Sequence, residues 1–122
     1  MILNCCLNFK FDFDYDFKLN GEIKGKTIAP LIFLPFIENA VKHSHSLDGG
    51  FININLDIVE NNLTFKVSNS IAEKQDFKVD VGGIGLTNVK KRLNMIYGEK
   101  HSLELEKSDK LFQIILHLND SI

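Results

Sequence analysis

Two short stretches decide the fold of this chain. Residues 35–43 are Pro-Phe-Ile-Glu-Asn-Ala-Val-Lys-His, and residues 82–88 are Gly-Gly-Ile-Gly-Leu-Thr-Asn. Apolar residues recur at every third or fourth position from Leu31 onward, which is the spacing of an amphipathic helix. The second stretch is a glycine-rich loop at the start of another helix. The sequence therefore predicts a helix carrying Asn, Lys and His, followed later by a loop that opens a second helix.

The polar residues of these two stretches suit a nucleoside triphosphate bound with magnesium. The amide oxygen of Asn39 suits a hard cation, and the ammonium group of Lys42 suits phosphate. Backbone N–H groups at the start of a helix attract anions, and glycines let a backbone approach a ligand closely. Taken together, and with strands between them, the two stretches predict an ATP site.

Length, composition and charge limit the class of protein. The chain has 122 residues, 44% of them apolar, and a formal net charge of −2. This length predicts a single domain, residues 1–122, and the charge gives no general attraction to nucleic acid or acidic lipid. No apolar run approaches the roughly 18 residues of a membrane-spanning helix, so we expect contact with a membrane only through a longer parent protein. The two cysteines are adjacent, which excludes a disulfide framework and favours the cytoplasm.

The remaining sequence alternates between strand and helix patterns. Aromatic and charged side chains alternate in residues 9–18, which predicts a half-buried strand. Similar alternation predicts strands at residues 51–58, 63–67, 101–106 and 111–118. We expect the first helix to begin at Leu31, with Pro35 ending a short first turn or kinking it. The second helix is expected to begin near Leu86 and to be stopped by Gly98. Residues 70–81 have few apolar anchors and predict a mobile loop.

The order of these elements predicts the fold class. One strand is followed by a helix, two strands, a second helix and two more strands. Helices separated by hairpins indicate an α/β (α+β) two-layer sandwich, with a mixed β-sheet and the helices on one face. The alternation of the strands agrees with this, because only one face of such a sheet is covered.

At these residues the chain resembles the catalytic ATP-binding (HATPase) domain of sensor histidine kinases, in the GHKL superfamily. The first helix is similar to the pattern Pro-x-x-x-x-Pro-x-x-Glu-Asn-Ala-x-x-His of the LytS/YehU-like branch, which residues 30–43 match. The glycine loop and its helix resemble Gly-Ile-Gly-Leu-x-Asn-x-x-x-Arg-Leu, which residues 83–93 match. The likeness covers roughly residues 10 to 118.

The resemblance implies a site for ATP and Mg²⁺. It makes Asn39 the magnesium ligand and places Lys42 and His43 beside the phosphates or the ribose. Glu38 is the candidate catalytic residue, which would orient a nucleophile, and a salt bridge at the rim is the alternative role. Arg92 is interpreted as the partner of an acidic residue or as a phosphate contact. Further nucleotide contacts are implied for the start of the second helix, at Gly83, Ile84, Gly85, Leu86 and Asn88.

Two features differ from many members of this superfamily. Many carry Asp-x-Gly-x-Gly after the third strand, whereas residues 67–72 are Val-Ser-Asn-Ser-Ile-Ala. Asn69 therefore replaces an aspartate that accepts a hydrogen bond from the adenine amino group, and its amide oxygen can still accept that bond. The chain also has no helical hairpin with a phosphoacceptor histidine. We therefore expect it to be a fragment of a longer kinase and not to phosphorylate itself in isolation.

The resemblance implies a role in two-component signalling. The domain would present the γ-phosphate of ATP to a histidine on a separate helical dimerisation domain, and a response regulator would then receive the phosphoryl group. The parent protein is expected to be an inner-membrane sensor with this domain in the cytoplasm. The alternative is a regulatory module of the same fold that binds nucleotide weakly and acts through protein interactions.

Overall fold

The computed structural model describes residues 13–44, 50–71 and 84–122. These ranges contain five strands and two helices, and a 3₁₀ turn, Gly98–Lys100, precedes the fourth strand. In chain order the elements are β1 (Phe13–Asn20), α1 (Leu34–Ser44), β2 (Gly50–Val59), β3 (Asn62–Ser70), α2 (Ile84–Tyr97), β4 (His101–Lys107) and β5 (Leu111–Leu118). Neither of these two helices is long and apolar enough to cross a membrane.

The five strands form one mixed sheet in the order β1-β2-β3-β5-β4. β1 and β2 are parallel, and each other pair of neighbours is antiparallel. Parallel neighbours need a crossover connection, which α1 supplies between β1 and β2. A two-residue turn at Glu60 and Asn61 joins β2 to β3. The predicted mixed sheet is confirmed.

Both helices cover the same face of the sheet. α1 contacts β2 and β3, and α2 contacts α1 and β4. Alternate residues of the central strands point into this layer and are buried. They are Ile52, Ile54, Leu56 and Ile58 in β2, Leu63, Phe65 and Val67 in β3, and Phe112, Ile114, Leu116 and Leu118 in β5. The predicted two-layer sandwich is therefore confirmed.

An aromatic cluster holds α1 on β3. The ring of Phe65 is 1% exposed and stacks on the ring of Phe33, with 4.4 Å between centroids. The ring of Phe36 lies 6.1 Å from the same ring in a tilted arrangement. Aromatic pairs at these distances add stabilisation beyond the burial of their surface. The position of α1 over the sheet therefore depends on Phe65.

The first helix begins three residues later than predicted. Leu31 has a φ of 58°, which is left-handed backbone and cannot belong to a right-handed helix. The carbonyl oxygen of Phe33 accepts the first helical bonds, from the N–H groups of Phe36 and Ile37 at 3.1 and 3.2 Å. Pro35 lies in the first turn, where its missing N–H is not needed. No helical turn precedes it in the described residues, so it neither ends nor kinks one.

Three other predictions need correction. β3 continues through Ser70, and the N–H of Ile71 donates to the carbonyl of Lys110 at 3.0 Å, so the predicted loop does not begin at residue 70. Its remainder, residues 72–81, lies outside the described residues, as do residues 9–12 of the predicted first strand. Tyr15 lies on the same face of the sheet as Phe17, as the alternation predicts, but it is 55% exposed because β1 lies at the edge of the sheet. α2 begins at Ile84, two residues earlier than predicted.

A Gly21→Ala variant is expected to be less stable than the wild-type chain by about 2–4 kcal/mol. Gly21 has a φ of +98°, and a Cβ atom there would lie 2.1 Å from the carbonyl oxygen of Ile58. Gly25 also has a positive φ, +77°, but nothing lies within 4 Å of an added Cβ. Gly25→Ala therefore isolates the backbone strain and should cost about 1–2 kcal/mol. Urea unfolding measures both losses, and equal losses would show that the clash is absent.

Candidate functional site

The second half of α1 lies over one end of the sheet, where β3 ends and β2 and β5 begin. Ser44, the last residue of α1, shares its single hydroxyl proton between the carbonyl oxygens of Phe51 and Ser70, which lie 3.2 and 3.3 Å from its Oγ. These bonds fasten the end of the helix to two strand ends. They bring the end of α1 close to the end of β3, where Asn69 precedes Ser70.

The exposed side of α1 and its boundary with the buried side carry Glu38, Asn39 and Lys42. Ala40 is buried against the sheet, whereas Glu38 and Lys42 are exposed. Because a helix turns about 100° per residue, the half-buried Asn39 lies between the buried side and the side of Lys42. Asn39 and Lys42 are three positions apart, so their side chains are neighbours on the helix surface. An amide and a cation therefore share one rim of the helix.

The Asn39 amide has a donor without a partner in the described part of the chain. This donor is its Nδ2 atom, which is buried. Leaving a buried donor unpaired costs about 1–3 kcal/mol, and buried polar groups nearly always have partners. A phosphate oxygen would supply the missing acceptor, while the Oδ1 atom of the same amide suits Mg²⁺. The chemistry of Asn39 therefore fits a magnesium-bound phosphate.

The described residues offer no complete metal site made of protein groups. No cluster of three or more His, Cys, Asp or Glu side chains that could hold a metal lies within residues 13–44, 50–71 and 84–122. Mg²⁺ commonly binds through one or two protein oxygens, substrate phosphates and water. A site with Asn39 as the protein ligand agrees with this usual coordination of Mg²⁺.

His43 belongs to the floor of the site. It is 4% exposed, and its ring centroid lies 6.5 Å from that of Phe112. Phe112 is in turn the register partner of Asn69 across β3 and β5. Phe112 therefore lies beside both His43 and Asn69. The contact of His43 with phosphate or ribose stays a prediction.

Asn69 is held by hydrogen bonds at the end of β3. It is 1% exposed, and its Nδ2 donates to the carbonyl oxygen of Ser70 at 3.0 Å. The Ser70 hydroxyl oxygen accepts from the N–H of Phe51 at 2.8 Å. Sequence reasoning missed both serines, because Ser44 was treated as the end of a helix and Ser70 as loop. One signal was present: Asn69 continues the inward positions of the strand at every second residue, which indicates that β3 runs on.

The start of α2 supplies backbone donors. The first four N–H groups of a helix have no partners within the helix, and Ile84 and Gly85 belong to that first turn. Leu86 is 3% exposed, so its side chain packs in the core and only its backbone could meet a ligand. The side chain of Asn88 is exposed. Gly83 lies outside the described residues.

Arg92 makes a hydrogen bond that the sequence did not predict. Its Nη2 atom donates to the carbonyl oxygen of Pro30 at 2.7 Å, rather than to an acidic side chain. The Tyr97 hydroxyl accepts from the N–H of Ala29 at 2.9 Å. The second half of α2 therefore lies beside the residues that precede α1. α2 also contacts α1.

No family model matches this sequence, and no curated protein matches it either. Solved structures do match. The catalytic domain of the histidine kinase ThkA, in a nucleotide-free form, has a TM-score of 0.72 and 16% identity, covering 98% of this chain and 86% of that one. The Acinetobacter baumannii histidine kinase AdeS has a TM-score of 0.60 and 17% identity, covering 99% and 60%.

A third match is a complex. ThkA bound to the response regulator protein TrrA has a TM-score of 0.65 and 15% identity, covering 98% of this chain and 38% of that one. At such identities the likeness concerns the fold. This chain has the α+β fold of histidine kinase catalytic domains, as its sequence predicted.

Proposed function

We propose that this chain is the catalytic ATP-binding domain of a two-component sensor histidine kinase of the LytS/YehU-like branch. The observation that carries the proposal is Asn39, a half-buried amide whose Nδ2 lacks a described partner and which lies beside Lys42 on one helix rim. The fold of histidine kinase catalytic domains supports it. The motif match of residues 30–43 supports the branch.

The residues of α1 bind and orient the triphosphate. Asn39 offers Oδ1 to Mg²⁺ and Nδ2 to a phosphate oxygen, and Lys42 adds a positive charge one turn later. Bound Mg²⁺ would neutralise charge on the phosphates. Phosphoryl transfer depends mainly on positioning and on electrostatic stabilisation, and the fixed attachment of α1 to the sheet supplies the positioning. Glu38, exposed on the same helix, orients the attacking histidine.

The C-terminal end of β3 and the first turn of α2 bind the rest of the nucleotide. Asn69 accepts a hydrogen bond from the adenine amino group, and His43 lies in the floor of the site. Backbone N–H groups of the first turn of α2, at Ile84, Gly85 and Leu86, attract the phosphates through the positive end of the helix. The exposed Asn88 extends this contact.

The partners follow from the reaction. A histidine nitrogen on the helical domain of the parent kinase attacks the γ-phosphorus, the new N–P bond forms, and the bond to ADP breaks. A response regulator then takes the phosphoryl group, and the complex of ThkA with TrrA supports this class of partner. The domain works on the cytoplasmic side of an inner-membrane sensor.

A phosphorylation assay distinguishes this function from a weakly binding regulatory module. The chain is mixed with ATP labelled at the γ-phosphate, Mg²⁺ and the separately produced helical domain of its parent kinase. Acid-labile, base-stable label on a histidine of the helical domain is the expected result. Nucleotide binding without any transfer would favour the regulatory module, in which Asn69 replaces the charged aspartate.

A Lys42→Gln variant is expected to bind ATP about tenfold more weakly, because a charge-assisted bond to phosphate contributes roughly 1.5–3 kcal/mol. Its affinity for adenosine should not change, since adenosine has no phosphate. Lys90, exposed on α2, provides the control variant Lys90→Gln. Calorimetric titrations with both ligands measure the effect, and an equal loss for ATP and adenosine would argue against a phosphate contact.

A further inference from the structure

We infer that Ser70 fixes the side-chain amide of Asn69 and thereby makes the site select a 6-amino purine over a 6-oxo purine. This inference rests on the proposed function, in which Asn69 meets the base. Asparagine carries an acceptor, Oδ1, and a donor, Nδ2, and either can face a ligand. Aspartate offers acceptors whichever way it turns. A site that uses asparagine for recognition therefore needs neighbours that fix the amide.

The hydrogen bonds around Asn69 provide that fixation. Asn69 is 1% exposed, so internal contacts rather than solvent set its orientation. Its Nδ2 donates to the carbonyl oxygen of Ser70 at 3.0 Å. The nitrogen and oxygen of an amide point in different directions, so Oδ1 is the group that remains for a base. An acceptor there pairs with the 6-amino group of adenine and repels the 6-oxo group of hypoxanthine or guanine.

The Ser44 hydroxyl contacts the Ser70 carbonyl directly, and the Ser70 hydroxyl bonds to the backbone of Phe51 beside it. The Ser70 hydroxyl oxygen accepts the N–H of Phe51 at 2.8 Å, so this N–H does not compete for the Ser70 carbonyl. The Ser44 hydroxyl, at the end of α1, shares its proton between the same carbonyl at 3.3 Å and the Phe51 carbonyl at 3.2 Å. Ser44 and Ser70 are therefore positioning residues that act through Asn69.

The test compares the binding of ATP and ITP, which differ at the 6-position of the purine. Calorimetry on the wild-type chain with Mg²⁺ is expected to show about tenfold or greater preference for ATP. Ser70→Ala frees the N–H of Phe51 to compete for the carbonyl, and the preference should fall to about threefold or less. Ser70→Thr keeps the hydroxyl and should restore it. The control is Ser68→Ala, two residues earlier on the same side of β3, which should leave the preference unchanged.

Each other outcome has a distinct meaning. Equal binding of ATP and ITP by the wild-type chain overturns the inference but leaves the proposed function standing. This comparison does not depend on whether any variant folds. A Ser70→Ala variant that loses affinity for both nucleotides in the same proportion also overturns it, because a purely structural role would move both together. A wild-type chain that binds neither nucleotide overturns the proposed function itself.

Discussion

An Asn39→Ala variant is expected to lose about 100-fold or more of its affinity for ATP in the presence of Mg²⁺, because the loss of an outer-shell partner alone costs about 10–100-fold at metal sites. Its unfolding free energy should change little. The Nδ2 atom of Asn39 makes no hydrogen bond to a described residue, so truncation breaks none of these bonds and removes a donor that is costly to bury. Calorimetric titration with a non-hydrolysable ATP analogue gives the affinity, and urea unfolding gives the stability.

Two further variants sharpen this result. Asn39→Asp keeps the size and an oxygen ligand but loses the Nδ2 donor, so an intermediate loss of affinity is expected. Asn94→Ala removes an exposed amide from α2 and should bind the analogue as the wild type does. If Asn39→Ala keeps full affinity, the amide neither holds the metal nor contacts phosphate, and the site assigned to α1 is wrong.

A Phe65→Ala variant is expected to lose about 3–5 kcal/mol of unfolding free energy, as buried aromatic truncations generally do. Phe65 is 1% exposed and contacts the rings of Phe33 and Phe36. The loss is a large part of the 5–15 kcal/mol that usually stabilises a domain. Because these rings join α1 to β3, the surviving folded protein should also bind the ATP analogue more weakly. Urea unfolding with linear extrapolation measures the stability.

Phe51 provides the matched control. It lies on the neighbouring strand and is 36% exposed, so its ring leaves a smaller cavity when it is removed. Phe51→Ala should cost about 1–2 kcal/mol, since its ring is only partly removed from water. Similar losses in the two variants would show that α1 is not held by the aromatic cluster.

The strands were predictable where alternation was strong and unbroken. β5 has the predicted bounds, Leu111–Leu118, because every second residue is apolar and the flanking residues favour a turn. The start of α1 was not predictable in the same way. The helical spacing of apolar residues continues back to Leu31, and hydrophobicity carries no information about the left-handed backbone at that residue. The end of β3 was missed because Ser68, Asn69 and Ser70 have the composition of a loop.

The site was predictable only as far as local spacing determines it. Asn39 and Lys42 were expected to be neighbours because both lie on one helix, and the structure places them so. Contacts between distant parts of the chain could not be inferred from one sequence. The bond from Arg92 to Pro30 joins residues 62 positions apart, and the bond from Ser44 to Ser70 joins residues 26 positions apart.

Titration of the wild-type chain with a non-hydrolysable ATP analogue, with Mg²⁺ and again with a chelator, tests the central claim most directly. In the proposed site Asn39 would offer one oxygen to Mg²⁺, and the metal would supply charge neutralisation to the phosphates. We expect saturable binding of one analogue per chain with Mg²⁺, weakened about tenfold or more when the metal is removed. Binding that is absent with Mg²⁺, or that is equally tight with and without it, would contradict the account.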